Sequence, residues 1–198
     1  MRVEEAAAVA AYHHQLIPTA FLSQLGVRFL THVYRALHRS RHAFIFVAVD
    51  ANDGVIGFIC GATSVKGLYR SVLLRRGWLY AGLLLRQVLH WNVLRRVIET
   101  LFYPSKLGDT LPQAELLSIA VDPGARGSGV ATALLDALLG EFRRRGCGEF
   151  RVLVGADLDA ANAYYIKHGF ALTDTTESHG VASNVYVRGT AASGRGGG

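Results

Sequence analysis

The order of elements along this chain predicts an α/β fold around one sheet, and three observations carry the prediction. Residues 115–142 read as a strand, a glycine loop and an amphipathic helix, and residues 149–170 as a second strand, a short helix and the start of another strand. Residues 43–61 read as two strands joined by a tight turn. With 198 residues, 51% of them hydrophobic, the chain can bury a full core without staples. One domain is expected over residues 1–190, followed by a disordered Gly/Ser-rich tail at 191–198.

Glu4 to Gln15 is helical in composition, and after a break at Pro18 the stretch from Phe21 to Leu37 carries apolar residues at helical spacing. Ala43–Val49 and Val55–Gly61 are strands, and the Asp53-Gly54 pair closing the segment between them is a hairpin signal. Glu115 to Val121 is an apolar strand that stops at Asp122-Pro123, because proline cannot donate to a sheet ladder. Val130, Leu134, Leu135, Leu138, Leu139 and Phe142 then form one apolar helix face. Glu149–Gly155 is the next strand and Asp159–Lys167 the next helix, with Gly169 suited to the positive φ of a helix end.

A strand that runs through glycines into a helix leaves several backbone N–H groups unpaired at the positive end of the helix dipole, an arrangement that attracts phosphate. Gly129-Val130-Ala131 stands where a Walker loop needs Gly-Lys-Ser/Thr, and Gly127, Gly129 and Thr132 fail the third glycine of a dinucleotide fingerprint. What remains, Arg126-x-x-Gly129-x-Ala131 after a strand, resembles the acyl-CoA signature of the GNAT N-acetyltransferase superfamily. The second half of that signature is matched in type and spacing by Ala161, Tyr165, Gly169 and Phe170. The resemblance covers most of residues 1–190, strongly after Glu115 and by element order before it.

The resemblance implies a mixed, mostly antiparallel central sheet flanked by helices and splayed at its fourth and fifth strands. It implies acetyl-CoA as co-substrate, with Arg126, Gly127, Ser128, Gly129, Val130 and Ala131 holding the pyrophosphate and Ile119, Ala120 and Val121 along the pantetheine arm. Where the family often has a pantetheine-binding Asn this chain has Leu158; Asn162, one turn on, is the imperfect substitute. Tyr165 is expected to hydrogen-bond or protonate the CoA sulfur. Its pKa near 10 against a thiol near 8.5 makes full transfer uphill by about 2 kcal/mol, so it acts as a positioned donor. On an extended strand Glu115, Leu117, Ile119 and Val121 share a face, and Glu115 stands where some members carry a general base. A carboxylate taking a proton from an alkylammonium faces about 6 pKa units, roughly 8 kcal/mol, so Glu115 is expected to act through water or on a less basic amine.

Residues 62–110 form an insertion, apparently helical and rich in Leu, Trp and Arg. Eight basic against two acidic residues give 8 − 2 = +6, equal to the net charge of the whole chain. Three readings stand: a solvated helical lid, a surface for an anionic acceptor such as a nucleotide sugar, and contact with a membrane face or a protein. The acceptor is a small-molecule amine, nominated to lie near His13, His14, Phe21, Arg28 and the insertion, with an amino sugar or nucleotide sugar as the lead. A second copy of the chain is a further expected partner. Nucleic acid is not, because no recognition motif is present and the basic residues lie among bulky aliphatics. No stretch of 18 apolar residues, signal-type leader or metal-ligand spacing occurs; Cys60 and Cys147 read as reduced thiols, which together point to the cytoplasm. A function of another class also fits: a catalytically idle acyl-CoA-binding or scaffold module, a reading that Leu158 favours.

Overall fold

The computed structural model describes residues 1–18, 21–71, 110–178 and 181–191. Its six-stranded sheet has the order β1-β2-β3-β4-β6-β5, with β1 at Ala43–Val49, β2 at Val55–Ala62, β3 at Glu115–Val121, β4 at Glu149–Gly155, β5 at Ala171–Ser178 and β6 at Val181–Gly189. Every neighbouring pair is antiparallel except β3 and β4, which run parallel. The strands expected to splay as fourth and fifth are the third and fourth here, because none of the described residues before the first helix forms a strand. The sequence predicts one strand after Phe170; the structure has two, and β6 turns back to lie between β4 and β5.

Two cores sit on opposite faces of the sheet. Helices α1 (Ala6–Leu16) and α3 (Gly26–Arg39) pack Ala6, Val9, Ala10, Leu30 and Tyr34 against Phe58 and Cys60. Helix α4 (Val130–Arg144) packs Leu134, Leu135, Leu138, Leu139 and Phe142 against Phe44, Ile59 and Phe150, and α5 (Asp159–Lys167) adds Tyr165. Of the apolar stripe expected on α4, Leu134, Leu135, Leu138, Leu139 and Phe142 are buried, and Val130 packs half-buried against them. The single helix expected from Phe21 to Leu37 is divided into α2 (Phe21–Gln24) and α3, with Gly26 at φ +83° marking the boundary. Of the 62–110 insertion, residues 62–71, with helical turns at 65–71, and the residue at 110 are described; the rest, and the tail beyond 191, lie outside the described residues.

The sheet is incomplete at its centre. β3 and β4 share two rungs, Glu115 with Arg151 and Leu116 with Val152, and beyond them the strands have no rung between them. β3 also bulges where it pairs with β2: Cys60 faces Ser118 and Gly61 faces Leu116, which leaves Leu117 without a partner. The bulge corrects the expected face. Leu116, Ile119 and Val121 pack in the α4 core, whereas Leu117 joins the α1/α3 core and Ser118 reaches Tyr34 beside it. Strict alternation fails because one extra residue inverts the pleat at that point.

The last rungs before the opening are pinned by an ion pair. Arg151 Nε donates to Glu115 Oε2 at 2.8 Å, with the residues 3% and 7% exposed. Removing one partner leaves an uncompensated buried charge. Arg151→Leu is therefore expected to cost about 3–5 kcal/mol, and the double variant Glu115→Leu, Arg151→Leu to recover most of that, as read from urea unfolding midpoints.

Candidate active site

The loop after β3 is built from short-range bonds. Asp122 Oδ1 accepts from the Gly124 amide at 2.8 Å, closing a 3-10 turn over Pro123–Ala125. Tyr12 of α1 holds the other carboxylate oxygen at 3.2 Å, and the Asp122 amide donates to Ile56 at 2.8 Å. The loop is thus tied both to the sheet and to the N-terminal helices. Nothing local in the sequence marked Tyr12 for that role, since its partner lies 110 residues away.

Beyond the turn, Gly127 and Gly129 take φ of +76° and +86°, a region that disfavours any side chain. A Cβ built on either would meet no atom within 4 Å, so the space in front of the backbone is open. Gly129 is the N-cap of α4 and supplies no side-chain cap. The helical ladder begins with the Ala133 amide on the Gly129 carbonyl at 2.9 Å, so the amides of Val130, Ala131 and Thr132 precede it. Arg126 and Ser128 are exposed beside them. Open space, unladdered donors and the positive end of a 15-residue helix suit an anion.

The stretch of β3 that has no β4 partner carries Ile119, Ala120 and Val121, next to the loop. On α5, Tyr165 is 5% exposed among Phe170, Tyr186 and Tyr164, with ring centroids 5.0, 6.2 and 5.4 Å away. Its hydroxyl makes no hydrogen bond among the described residues. Burial, and then Tyr164, push its pKa above the ordinary value, so it stays protonated as a donor. Tyr164 points the other way and donates to the Ala131 carbonyl at 3.1 Å, bracing α5 against the first turn of α4.

Asn162 was expected to touch the pantetheine arm, but its side chain is engaged elsewhere. Nδ2 donates to the Gly155 and Leu158 carbonyls at 3.0 and 2.9 Å, and Oδ1 accepts from Asn184 and Tyr186, both at 2.9 Å. It fastens the β4–α5 turn to β6. Leu158 is 46% exposed at the N-cap of α5. Glu115 is raised above the ordinary carboxylate range by burial, with Arg151 opposing, and it lies at the closed end of the opening.

Of the nominated acceptor residues, Arg28 is exposed and His14 Nδ1 lies 2.9 Å from the Ser23 carbonyl. The Phe21 side chain lies outside what is described. His13 is buried, with Nδ1 2.6 Å from the Tyr34 hydroxyl, which is 3.3 Å from Ser118 on the bulge. Burial, then His14, lowers its pKa to about 4, so it is neutral near pH 7. Tyr34 and Ser118 were not singled out from sequence, because the bulge that brings Ser118 to Tyr34 has no signature there. Among the described residues no group of three or more His, Cys, Asp or Glu could hold a metal, and no helix is long and apolar enough to cross a membrane.

A strand pair that parts beside a helix N-terminus with free amides defines a protein that takes an extended, phosphate-bearing co-substrate. The sequence model of the Acetyltransferase (GNAT) family matches residues 12–170, and the chain belongs to that family. It is an acetyltransferase of the kind that uses acetyl-CoA, and the open glycine loop and unladdered amides fit the CoA phosphates. Solved structures share the fold. SsHAT is 18% identical, with 96% of each chain covered and a TM-score of 0.68. PaiA N-acetyltransferase from Thermoplasma acidophilum in complex with coenzyme A is 14% identical, with 96% of this chain and 95% of that one covered and a TM-score of 0.61. A spermidine N-acetyltransferase SpeG chimera from Vibrio cholerae and hSSAT is 12% identical, covering 96% and 92%, at 0.59. No curated protein sequence matches the chain significantly.

Replacing Gly129 with Val fills the open space before the amides and strains the positive φ. Calorimetry is expected to show CoA binding at least tenfold weaker, about 1.4 kcal/mol or more, in a protein whose circular dichroism is unchanged.

Proposed function

We propose that the chain moves an acetyl group from acetyl-CoA to a primary amine of a small molecule. The observation that carries this reading is the opening between β3 and β4 after Leu116 and Val152, with the unladdered amides at the start of α4 following on the loop after β3. Acetyl-CoA supplies the activated acyl carbon and a thiolate leaving group. In this reading Arg126 and the amides of residues 127–131 hold its phosphates, and the backbone at Ile119, Ala120 and Val121 lines the pantetheine arm. Tyr165, kept protonated by burial, donates to the departing sulfur. Glu115, shared with Arg151, takes the proton of the amine through an intervening water.

An amino sugar or nucleotide sugar is the favoured acceptor, and the surplus of six positive charges on the 62–110 segment suits the diphosphate of the nucleotide sugar. The spermidine enzyme among the similar structures makes a polyamine the competing choice. Free Cys60 and Cys147 support a reducing, cytoplasmic setting.

The test is thiol release from acetyl-CoA on a panel of amino sugars, nucleotide sugars, polyamines and amino acids. Turnover on an amino sugar or nucleotide sugar is expected; CoA binding with no turnover on any amine would establish the idle module that Leu158 favours. On the acceptor so found, Tyr165→Phe is expected to lower the single-turnover rate by roughly 10² to 10⁴ with CoA affinity unchanged. A Phe variant with the parent rate would remove Tyr165 from the chemistry.

A further inference from the structure

The phosphate cradle described above consists of backbone amides and Arg126, all from one loop and helix. A second polar group reaches the same turn from another element. His168, the residue just after α5, has Nδ1 2.8 Å from the Tyr164 carbonyl. A carbonyl only accepts, so Nδ1 carries the hydrogen and Nε2 of the neutral ring is a bare acceptor. That Nε2 lies 3.4 Å from Oγ1 of Thr132, the third residue of α4, whose amide precedes the helical ladder.

The ring is held in this pose. Its centroid is 4.1 Å from that of Tyr164, and the Tyr164 hydroxyl is fixed on the Ala131 carbonyl at 3.1 Å. The Tyr164–His168 pair therefore grips the first turn of α4 and sets both the position and the tautomer of the imidazole. An acceptor nitrogen is the wrong polarity beside a bound anion, and a proton on Nε2 makes it the right one.

On the acetyl-CoA reading of this loop, we propose that His168 is a ligand of the CoA diphosphate. It takes one proton from solvent onto Nε2 as the diphosphate seats on residues 127–132, and then donates a charged hydrogen bond to a phosphate oxygen. Thr132 gives up its contact with the ring and turns its hydroxyl to the same anion. Asp136 on α4 and Arg188 on β6 act on Tyr164, against which the His168 ring lies, and Lys167 is adjacent in sequence. The incoming phosphates supply the negative charge that favours the proton on Nε2. Because binding takes up a proton, CoA affinity rises as pH falls.

Calorimetry on the full chain, in phosphate-free buffers of differing ionisation enthalpy, tests this with CoA and with dephospho-CoA. The parent protein is expected to take up protons on binding either one near pH 7 and to bind CoA more tightly at pH 6.5 than at pH 8. His168→Gln is expected to abolish the uptake and flatten the pH dependence, with CoA bound about tenfold more weakly at pH 6.5. Thr132→Val, which removes only the hydroxyl contact, is expected to retain the uptake. The ring-nitrogen resonances of His168 in the unaltered protein give the same answer without a variant, moving to the imidazolium position on CoA addition. Uptake unchanged in His168→Gln, or resonances that stay neutral with CoA bound, would overturn the proposal. Uptake seen with CoA and lost with dephospho-CoA would move the contact to the 3′-phosphate and equally overturn it. A parent protein that binds no CoA fails in a different way, by defeating the acetyl-CoA reading of the loop.

Discussion

The rest of the structure depends on the early end of one ladder. Parallel strands β3 and β4 pair through two rungs and then part, although both remain paired on their outer sides, β3 with β2 and β4 with β6. Backbone N–H and C=O groups inside a sheet ordinarily have partners, and leaving them without is costly. A sheet interrupted at its centre is therefore a place where a polar, extended molecule substitutes for a strand. The Glu115–Arg151 pair fixes where the interruption starts. The bulge at Leu117 follows at once, inverts the pleat and directs Ser118 toward Tyr34 and His13.

The same interruption organises the polar chemistry around it. The helix that follows β3 begins on a left-handed glycine with open space before it, which puts its unladdered amides at one end of the gap. The helix that follows β4 places Tyr165 in the core on the α4 face and uses Tyr164 and His168 to brace the first turn of its neighbour. Asn162, with its four hydrogen bonds, locks the β4–α5 turn to β6. Two strand–helix units that diverge from one short ladder are thereby joined again across their helix ends.

Much of this was legible in the sequence because it is written in local pattern. The buried stripe of α4, the bounds of β1, β4 and α5, and the positive φ of Gly169 each follow from periodicity or from a conformation that one residue type tolerates. Features set by distant partners were not legible. Glu115 gave no sign that Arg151 would neutralise it, since a register between strands 36 residues apart decides that pairing. Asn162 seemed available for a ligand because its acceptor role toward Asn184 and Tyr186 depends on β6, a strand the sequence reading had not separated. The face shared by Glu115, Leu117, Ile119 and Val121 failed at the bulge, which periodicity cannot report.

The central claim is that the gap between β3 and β4, with the amides at the start of α4, is where acetyl-CoA lies. Amide chemical shifts of the isotopically labelled chain, recorded as CoA is added, test it most directly. The largest shifts are expected on Gly127, Gly129, Val130, Ala131 and Thr132 and on Ile119 to Val121, with amides on the outer edge strands β1 and β5 unmoved. Shifts that leave the 127–132 amides in place while CoA binds elsewhere would contradict it.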